Sequence, residues 1–221
     1  MALQKKDFIE IEFTAKTKDG QIFDTNIAED LRESNLQGEA KPFVYCIGED
    51  MFLKSVDEFL IGKEIGKYKI ELQSEKAFGK RQSSLVQIIP AKAFYEQKIN
   101  PIPGLALNFD GRIGKILTVS GGRVIVDFNH FLAGKDVIYE IKIIKKIENL
   151  NEKIKAVNDF LFRKDFKFSV DGKTLELETE KGFGRIAELF KDKYKSILDL
   201  DLKVKEIEKE ESLKDKEKLT V

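Results

Sequence analysis

Residues 42–62 restrict the possible folds more than any other part of the chain. They begin with an alternation of apolar side chains, Phe43, Tyr45 and Ile47, which predicts a strand with one buried face. A short helix is then predicted from about Met51, because apolar residues recur at helical spacing: Phe52, Leu53, Val56, Phe59 and Leu60. A helix of only about two to three turns is not stable alone in water. We therefore expect a curved sheet that covers this helix.

Segments on both sides of residues 42–62 show the alternation of half-buried strands. They are Asp7 to Thr14, Lys67 to Gln73 and Asp136 to Ile147. The dipeptide Asp19-Gly20 is a strong short-range signal for a hairpin, so a returning strand is expected over residues 21–24. Residues 25–41 are polar and without periodicity, which predicts a surface excursion. The predicted fold class is α+β, with an antiparallel sheet and few helices.

Several separated motifs follow one another along this pattern. They are the run Asp19 to Asp24, Pro42-Phe43, Ile47-Gly48, the turn from Gly62 to Gly66, and Ala77-Phe78-Gly79. In this order they resemble FKBP-type peptidyl-prolyl cis-trans isomerases. Residues 85–90 and 124–134 are similar to the start and end of the chaperone domain that SlyD-like members carry inserted in the flap. The resemblance covers residues 1–148, and the additional C-terminal residues make the chain similar to archaeal long-type FKBPs.

Three domains are expected on this basis. Residues 1–79 and 130–148 form the FKBP-like isomerase domain, residues 80–129 an inserted, mostly β flap chaperone domain, and residues 149–221 a C-terminal α+β domain. Within the insert, three strands are predicted at Leu105 to Phe109, Ile113 to Val119 and Arg123 to Phe128. Their connections, Asp110-Gly111 and Ser120-Gly121-Gly122, are typical hairpin turns.

The C-terminal residues predict a small domain with the order α-β-β-α-β. A helix over 152–162, capped by Asn151, precedes a hairpin around Asp171-Gly172. An amphipathic helix over 184–198 and a strand over 200–207 follow. Residues 208–218 are expected to be a solvated, frayed end.

Composition excludes several classes of protein. Lys and Arg number 39, as do Asp and Glu, so no overall field favours nucleic acid or an anionic membrane. The single Cys46 cannot form an intramolecular disulfide and fits a reducing cytoplasm. The N-terminus lacks the apolar core of a signal peptide, and no apolar run reaches the ~20 residues of a membrane span. We expect a cytoplasmic protein without nucleic-acid or membrane partners.

Isomerisation of an Xaa-Pro bond requires neither a nucleophile nor a metal, so no cofactor and no metal site are expected. The resemblance implies an apolar catalytic site formed by Phe13, Phe23, Asp24, Phe43, Phe52, Leu53, Val56, Phe78 and Tyr139. Phe78 stands where the family usually has a tyrosine whose hydroxyl donates a hydrogen bond to the substrate. In the insert, the residues expected to bind unfolded or partly folded polypeptides are Ile88, Ile89, Phe94, Ile102 and Leu105.

Two alternatives remain open from the sequence. The chain is either a prolyl isomerase with a built-in chaperone domain or a holdase-type chaperone with weak or no isomerase activity, which the loss of the hydroxyl at Phe78 would allow. The C-terminal domain is either a dimerisation module or a second client-binding surface. Because an apolar stripe on its second helix would be covered by a second copy, we expect a homodimer through this region. The stripe consists of Ile186, Leu189, Phe190, Tyr194 and Ile197.

Overall fold

The computed structural model describes residues 2–207 and has mixed α+β structure. Its strands are β1 (Phe8–Thr17), β2 (Ile22–Thr25), β3 (Phe43–Cys46), β4 (Lys67–Leu72), β5 (Val86–Pro90), β6 (Ala106–Phe109), β7 (Arg112–Ser120), β8 (Arg123–Asp127), β9 (Val137–Ile147), β10 (Phe168–Asp171), β11 (Thr174–Glu180) and β12 (Asp201–Ile207). Its helices are α1 (Ala28–Ser34), α2 (Lys54–Leu60), α3 (Ala91–Glu96), α4 (Leu150–Phe162), α5 (Gly184–Glu188) and α6 (Lys191–Leu198). The predicted α+β class with antiparallel sheets is confirmed. The frayed end predicted for 208–218 lies outside the described residues.

The first sheet has five strands. Four of them are hydrogen-bonded in the order β2-β1-β9-β4. The fifth strand, β3, also pairs with β1. The β1–β3 pair is antiparallel, with Ile9 opposite Tyr45 and Ile11 opposite Phe43. Because alternate residues of a strand point to the same face, Phe43 and Tyr45 lie on one face of β3.

A second antiparallel sheet has the strand order β5-β8-β7-β6. It has a hydrophobic core of its own, formed by Ala91, Phe94, Ile116, Val124 and Val126. The predicted hairpins occur at Asp110-Gly111 and Gly121-Gly122, where all four residues have the positive φ angles of tight turns.

Gly114 on β7 shows why this core needs a residue without a side chain. A Cβ atom at Gly114 would lie 2.6 Å from a Val126 methyl group and 2.8 Å from the Phe128 ring. These separations are far below van der Waals contact, so the Val126 and Phe128 side chains can pack over β7 here only because residue 114 is a glycine.

A third sheet has the order β10-β11-β12, with β10 antiparallel and β12 parallel to β11. Its core contains Phe166, Leu177 and Ala187, and Phe162, Phe168, Phe183, Leu202 and Val204 pack against it. Helix α4 begins with Asn149, whose side chain accepts a hydrogen bond from the Glu152 N–H at 3.1 Å. The cap is therefore Asn149 and not the predicted Asn151.

The chain divides into two compact units. Within the described residues, one unit contains 2–14, 25–68 and 140–207, and the other contains 15–24 and 69–139. Strands β1, β2, β4 and β9 contribute residues to both units. In the described part of the chain, no helix is long and apolar enough to cross a bilayer.

Two predicted helices are shorter in the structure. Helix α2 begins at Lys54 rather than near Met51, because Gly48 and Asp50 adopt positive φ angles and form turns before it. The predicted helix over 184–198 is broken into α5 and α6. At the break, the Phe190 N–H bonds to the Ala187 carbonyl, a tighter i to i−3 turn, and the Phe190 ring contacts Phe162 edge to face.

Candidate active site

Strand β3 and the loop before α2 carry the first aromatic cluster, which we define as Phe13, Phe43, Tyr45 and Phe52. Phe43 and Tyr45 are stacked, with ring centroids 5.3 Å apart and an interplanar angle of 10°. The Phe52 ring lies 5.0 Å from Phe13, 5.8 Å from Phe43 and 5.3 Å from Tyr45. Thus the structure brings together three rings that the sequence assigned to the site, and adds Tyr45.

The side chains of this region form a buried layer and a half-buried apolar surface. Phe13, Tyr45 and Val56 are buried, with exposed fractions of 5% or less. Phe43, Phe52 and Leu53 are only half-buried. The half-buried side chains therefore present apolar surface above a fully packed layer, as a site for an apolar ligand requires. Val56 lies in the packed layer.

Asp57 is a polar member of the same region that the sequence interpretation missed. It is 3% exposed, and one carboxylate oxygen accepts a hydrogen bond from the Gly48 N–H at 2.8 Å. Burial raises the pKa of Asp57 to about 6, and the Gly48 N–H opposes this rise by stabilising the ionised form. A carboxyl group beside Val56 and Leu60 is not distinguishable from a surface residue by periodicity alone, since a helix position adjacent to a buried stripe can face either way.

The second aromatic cluster comprises Phe23, Phe78, His130, Phe131 and Tyr139. Phe23 makes edge-to-face contacts with Phe78 at 5.7 Å and with Tyr139 at 6.1 Å. Burial raises the pKa of the Tyr139 hydroxyl, and the nearby Asp24 carboxylate raises it further. Asp24 itself is exposed. The structure thus places Phe23, Asp24, Phe78 and Tyr139 close together.

His130 and Phe131 extend this cluster, although neither was among the predicted site residues. The imidazole ring lies parallel to Phe78, with centroids 4.9 Å apart, and Phe131 packs against it at 4.7 Å. Backbone hydrogen bonds within residues 130–135 fix their loop, and the Leu132 N–H donates to His130 Nδ1 at 3.3 Å. Phe131 is nevertheless 66% exposed. The only sequence signal was the presence of two aromatic residues where the isomerase motifs resume.

The side chains expected to bind clients differ in exposure. Ile88, Ile102 and Leu105 are exposed by 64%, 55% and 38%. Phe94 is 3% exposed and lies in the core, whereas Ile89 is half-buried and packs against the same core. Two further exposed apolar side chains of the same segment, Tyr95 and Ile113, were not in the expected set.

The ends of this segment are fastened to each other. Asn129 donates to the Gln82 carbonyl and accepts from the Gln82 N–H, at 2.9 and 2.8 Å. The Arg81 guanidinium forms an ion pair with Asp127 at 2.7 Å. The Gly134 N–H also bonds to the Gly79 carbonyl at 2.8 Å. Because both ends of the segment meet, the intervening residues start and finish at one place.

Within residues 2–207, no group of three or more His, Cys, Asp and Glu side chains is arranged to hold a metal ion. What the aromatic clusters offer chemically is apolar surface with few charges. Such a surface suits binding and distortion of a neutral substrate better than proton transfer.

Two family models match the chain. The model of FKBP-type peptidyl-prolyl cis-trans isomerases matches residues 1–104, and the model described as FKBP26, IF domain, matches residues 87–132. The first match contains every predicted catalytic residue except Tyr139. The second contains the strands of the second sheet apart from the first residue of β5.

Curated relatives are similar over the same region. The short-type peptidyl-prolyl cis-trans isomerase of Methanocaldococcus jannaschii is 30% identical over 145 residues, which cover 64% of this chain and 92% of that protein. SlyD of Haemophilus influenzae is 26% identical over 160 residues, covering 70% of this chain and 77% of SlyD. The FKBP-type 16 kDa isomerase of Escherichia coli is 27% identical over 149 residues, covering 65% and 93%.

Proposed function

Because the chain belongs to the FKBP-type peptidyl-prolyl cis-trans isomerases, in their SlyD-like branch, we propose that its two aromatic clusters carry the isomerase chemistry. The proposed catalytic residues are Phe13, Phe23, Asp24, Phe43, Phe52, Leu53, Val56, Phe78 and Tyr139. The observation that supports this assignment is the half-buried apolar surface of Phe43, Phe52 and Leu53 above the packed layer that includes Tyr45.

The reaction is rotation about the Xaa-Pro bond, whose barrier is ~18–20 kcal/mol because resonance gives the bond partial double-bond character. Rotation breaks that resonance, and the carbonyl becomes less polar as the amide twists. An apolar site removes water that would otherwise stabilise the planar, more polar amide. It therefore binds the twisted form better than the planar form, which lowers the barrier without any proton transfer.

Single truncations test the assignment. Phe52→Ala and Phe43→Ala should each lower kcat/KM for a proline-containing tetrapeptide roughly two- to tenfold, the factor that corresponds to a lost aromatic contact of ~0.5–1.5 kcal/mol. Ile70→Ala is the control, since it removes a buried side chain of the first sheet, 3% exposed, that has no proposed role. Peptide turnover should be measured by NMR exchange at a temperature where all variants are folded. Equal activity of the Phe52 and Ile70 variants would refute the assignment.

We further propose that residues 80–129 form a domain that holds unfolded or partly folded polypeptides near the isomerase site. Its own core and its exposed apolar side chains, Ile88, Ile102 and Leu105 with Tyr95 and Ile113, support this proposal. A group of large exposed apolar side chains on a small domain is unfavourable in water unless a partner covers it. The remaining proposed domain boundaries are 1–79 with 130–148 for the isomerase domain and 149–221 for the C-terminal domain.

Deletion of the insert tests whether it binds clients without taking part in the isomerisation itself. The joined ends at Gly79 and Gly134 allow residues 81–128 to be replaced by a short glycine-containing loop. Tetrapeptide turnover should largely survive, whereas catalysed refolding of a proline-limited protein should collapse, because a second tethered site raises the effective concentration of the client. Equal losses for peptide and protein would contradict a client-binding role.

For the C-terminal residues we propose a homodimer contact, supported by the exposure of Leu189 (80%) and Ile186 (46%) on neighbouring turns. Light scattering should give a dimer for the full chain and a monomer for Leu189→Glu. A monomeric wild-type chain at high micromolar concentration would refute it. We also propose a cytoplasmic location without nucleic-acid or membrane partners, supported by the single buried thiol of Cys46 and the balanced charge.

A further inference from the structure

Two buried oxygen atoms belong to Tyr45 of the first aromatic cluster and to its neighbour Asp57. The Tyr45 hydroxyl and Oδ1 of Asp57 are both buried, and neither has a partner at ordinary hydrogen-bond geometry among the residues the structure describes. The two side chains interact with each other: burial raises the pKa of the Tyr45 hydroxyl most, and the charge and hydrogen-bonding capacity of Asp57 raise it further. Leaving buried polar atoms unpaired destabilises a folded protein. A compensating benefit is therefore expected from keeping a carboxyl group here.

Asp57 is linked to the proposed substrate surface by two routes. Through its bond to the Gly48 N–H it holds the start of the loop that carries Phe52 and Leu53. Through its proximity to Tyr45 it borders the ring that stacks on Phe43 and contacts Phe52. Asp57 itself is 3% exposed, so it does not lie on that surface.

We propose that Asp57 is a positioning residue of the isomerase: its ionised carboxylate, acting through the Gly48 N–H and the Tyr45 ring, holds Phe43 and Phe52 in the orientation that binds the prolyl substrate. This inference rests on the proposed role of Phe43 and Phe52. Protonation replaces a charge-assisted hydrogen bond to Gly48 by a weaker neutral one, which loosens the loop.

Burial and the neighbouring polar and charged groups determine the pH at which Asp57 is protonated. Besides the Gly48 N–H, the groups that act on the Asp57 carboxyl are Tyr45 on β3, Asp50 in the loop and Glu58 on α2, and Asp57 itself acts on the buried Cys46 thiol of β3. Burial raises the pKa of Asp57 to about 6, so the carboxyl is ionised at neutral pH and protonated in mild acid. The corresponding value for an unperturbed aspartate is 3.8.

Protonation of Asp57 stabilises the fold, although it weakens substrate binding. The native state holds the Asp57 proton more tightly than the unfolded chain does, so this group stabilises the fold below pH 4 and that contribution is lost as the pH rises through about 6. Asp57→Asn mimics the protonated form: its oxygen can accept from Gly48 and its NH₂ can donate to the Tyr45 oxygen. The variant should therefore be more stable than the wild type at neutral pH, yet a poorer isomerase.

The experiment measures KM, kcat and the thermal midpoint of the full chain between pH 5 and 8. At pH 7.5, Asp57→Asn should raise the KM for a proline tetrapeptide roughly three- to tenfold, leave kcat within about twofold, and raise the midpoint. In the wild type, KM should rise as the pH falls through about 6. The KM of Asp57→Asn should show no such rise. The difference in thermal midpoint between the variant and the wild type should shrink as the pH falls.

Thr179→Val is the matched control, because Thr179 on β11 is 1% exposed and its hydroxyl oxygen is also buried without a partner in the described chain. Its KM and the pH profile of KM should equal those of the wild type. An Asp57→Asn variant with wild-type KM and an unchanged pH profile would overturn the inference. So would a loss of activity together with a lower midpoint, which indicates a merely structural role. A wild-type-like Phe52→Ala would instead refute the proposed site.

Discussion

The imidazole ring of His130 lies parallel to the ring of Phe78, with an interplanar angle of 8° and a centroid distance of 4.9 Å. Phe78 follows the short turn over residues 74–76, and His130 follows β8, so the two rings come from opposite ends of the segment 80–129. The contact therefore depends on the ends of that segment meeting. It also covers one face of Phe78 with an aromatic ring, so that Phe78 is half-buried.

Restoring a hydroxyl at this position should increase catalysis. We expect Phe78→Tyr to raise kcat/KM for a proline tetrapeptide roughly two- to tenfold, the range of one added hydrogen bond to the substrate. The ring and its contacts with Phe23 and His130 are retained, so the thermal midpoint should change little. NMR exchange kinetics on the peptide measure the effect. An unchanged rate would mean that no hydroxyl donor is needed here.

Removal of the Tyr139 side chain should lower activity more than its effect on stability explains. Tyr139 is 3% exposed and contacts Phe23, so Tyr139→Ala should cost ~3–5 kcal/mol of stability and at least roughly tenfold in kcat/KM. Ile9→Ala is the control, since Ile9 is fully buried in the first sheet and has no proposed catalytic role. Both variants should be assayed where their folded fractions are equal. Matching activity losses would contradict the assignment of Tyr139.

Charged residues on the exposed insert surface should weaken client binding selectively. Ile88→Lys combined with Ile102→Lys should reduce catalysed refolding of a proline-limited protein severalfold while tetrapeptide turnover stays unchanged. Both side chains are more than half exposed, so lysine costs little stability there. Ile65→Lys, at a position 57% exposed outside the insert, controls for added charge. Similar refolding rates for the insert and control variants would count against a client-binding surface.

The ion pair between Arg81 and Asp127 at the ends of the insert should stabilise the fold less in acid. Burial tends to raise the pKa of Asp127, but hydrogen bonds from Asn129 and the Arg81 guanidinium outweigh it and lower the pKa below 3.8. Its stabilising contribution is therefore fully present above that value and is lost as the pH falls through the lower, native value. Urea unfolding should show the stability advantage of the wild type over Asp127→Asn at pH 6 and its decline by pH 2.5. A pH-independent difference would exclude the ion pair as the cause.

Local signals in the sequence determined much of the secondary structure and the family. The turns at Asp19-Gly20, Asp110-Gly111 and Asp171-Gly172 were correctly predicted, because a tight turn requires positive φ angles that glycine adopts without strain. Alternation predicted the strands for the same reason: side-chain direction along a strand depends only on neighbouring residues. The spaced motifs of residues 19–79 identified the isomerase family.

Only the tertiary structure decided which side chains meet and which are buried. Phe94 was expected on the client surface and lies in the core, and the break between α5 and α6 accompanies the contact of Phe190 with Phe162. Asp57 became a buried carboxyl because α2 places it against the Gly48 N–H and the Tyr45 side chain, and His130 reached Phe78 because the ends of the insert meet. Such contacts join residues distant in sequence, and their free energies depend on desolvation and packing that no local pattern encodes.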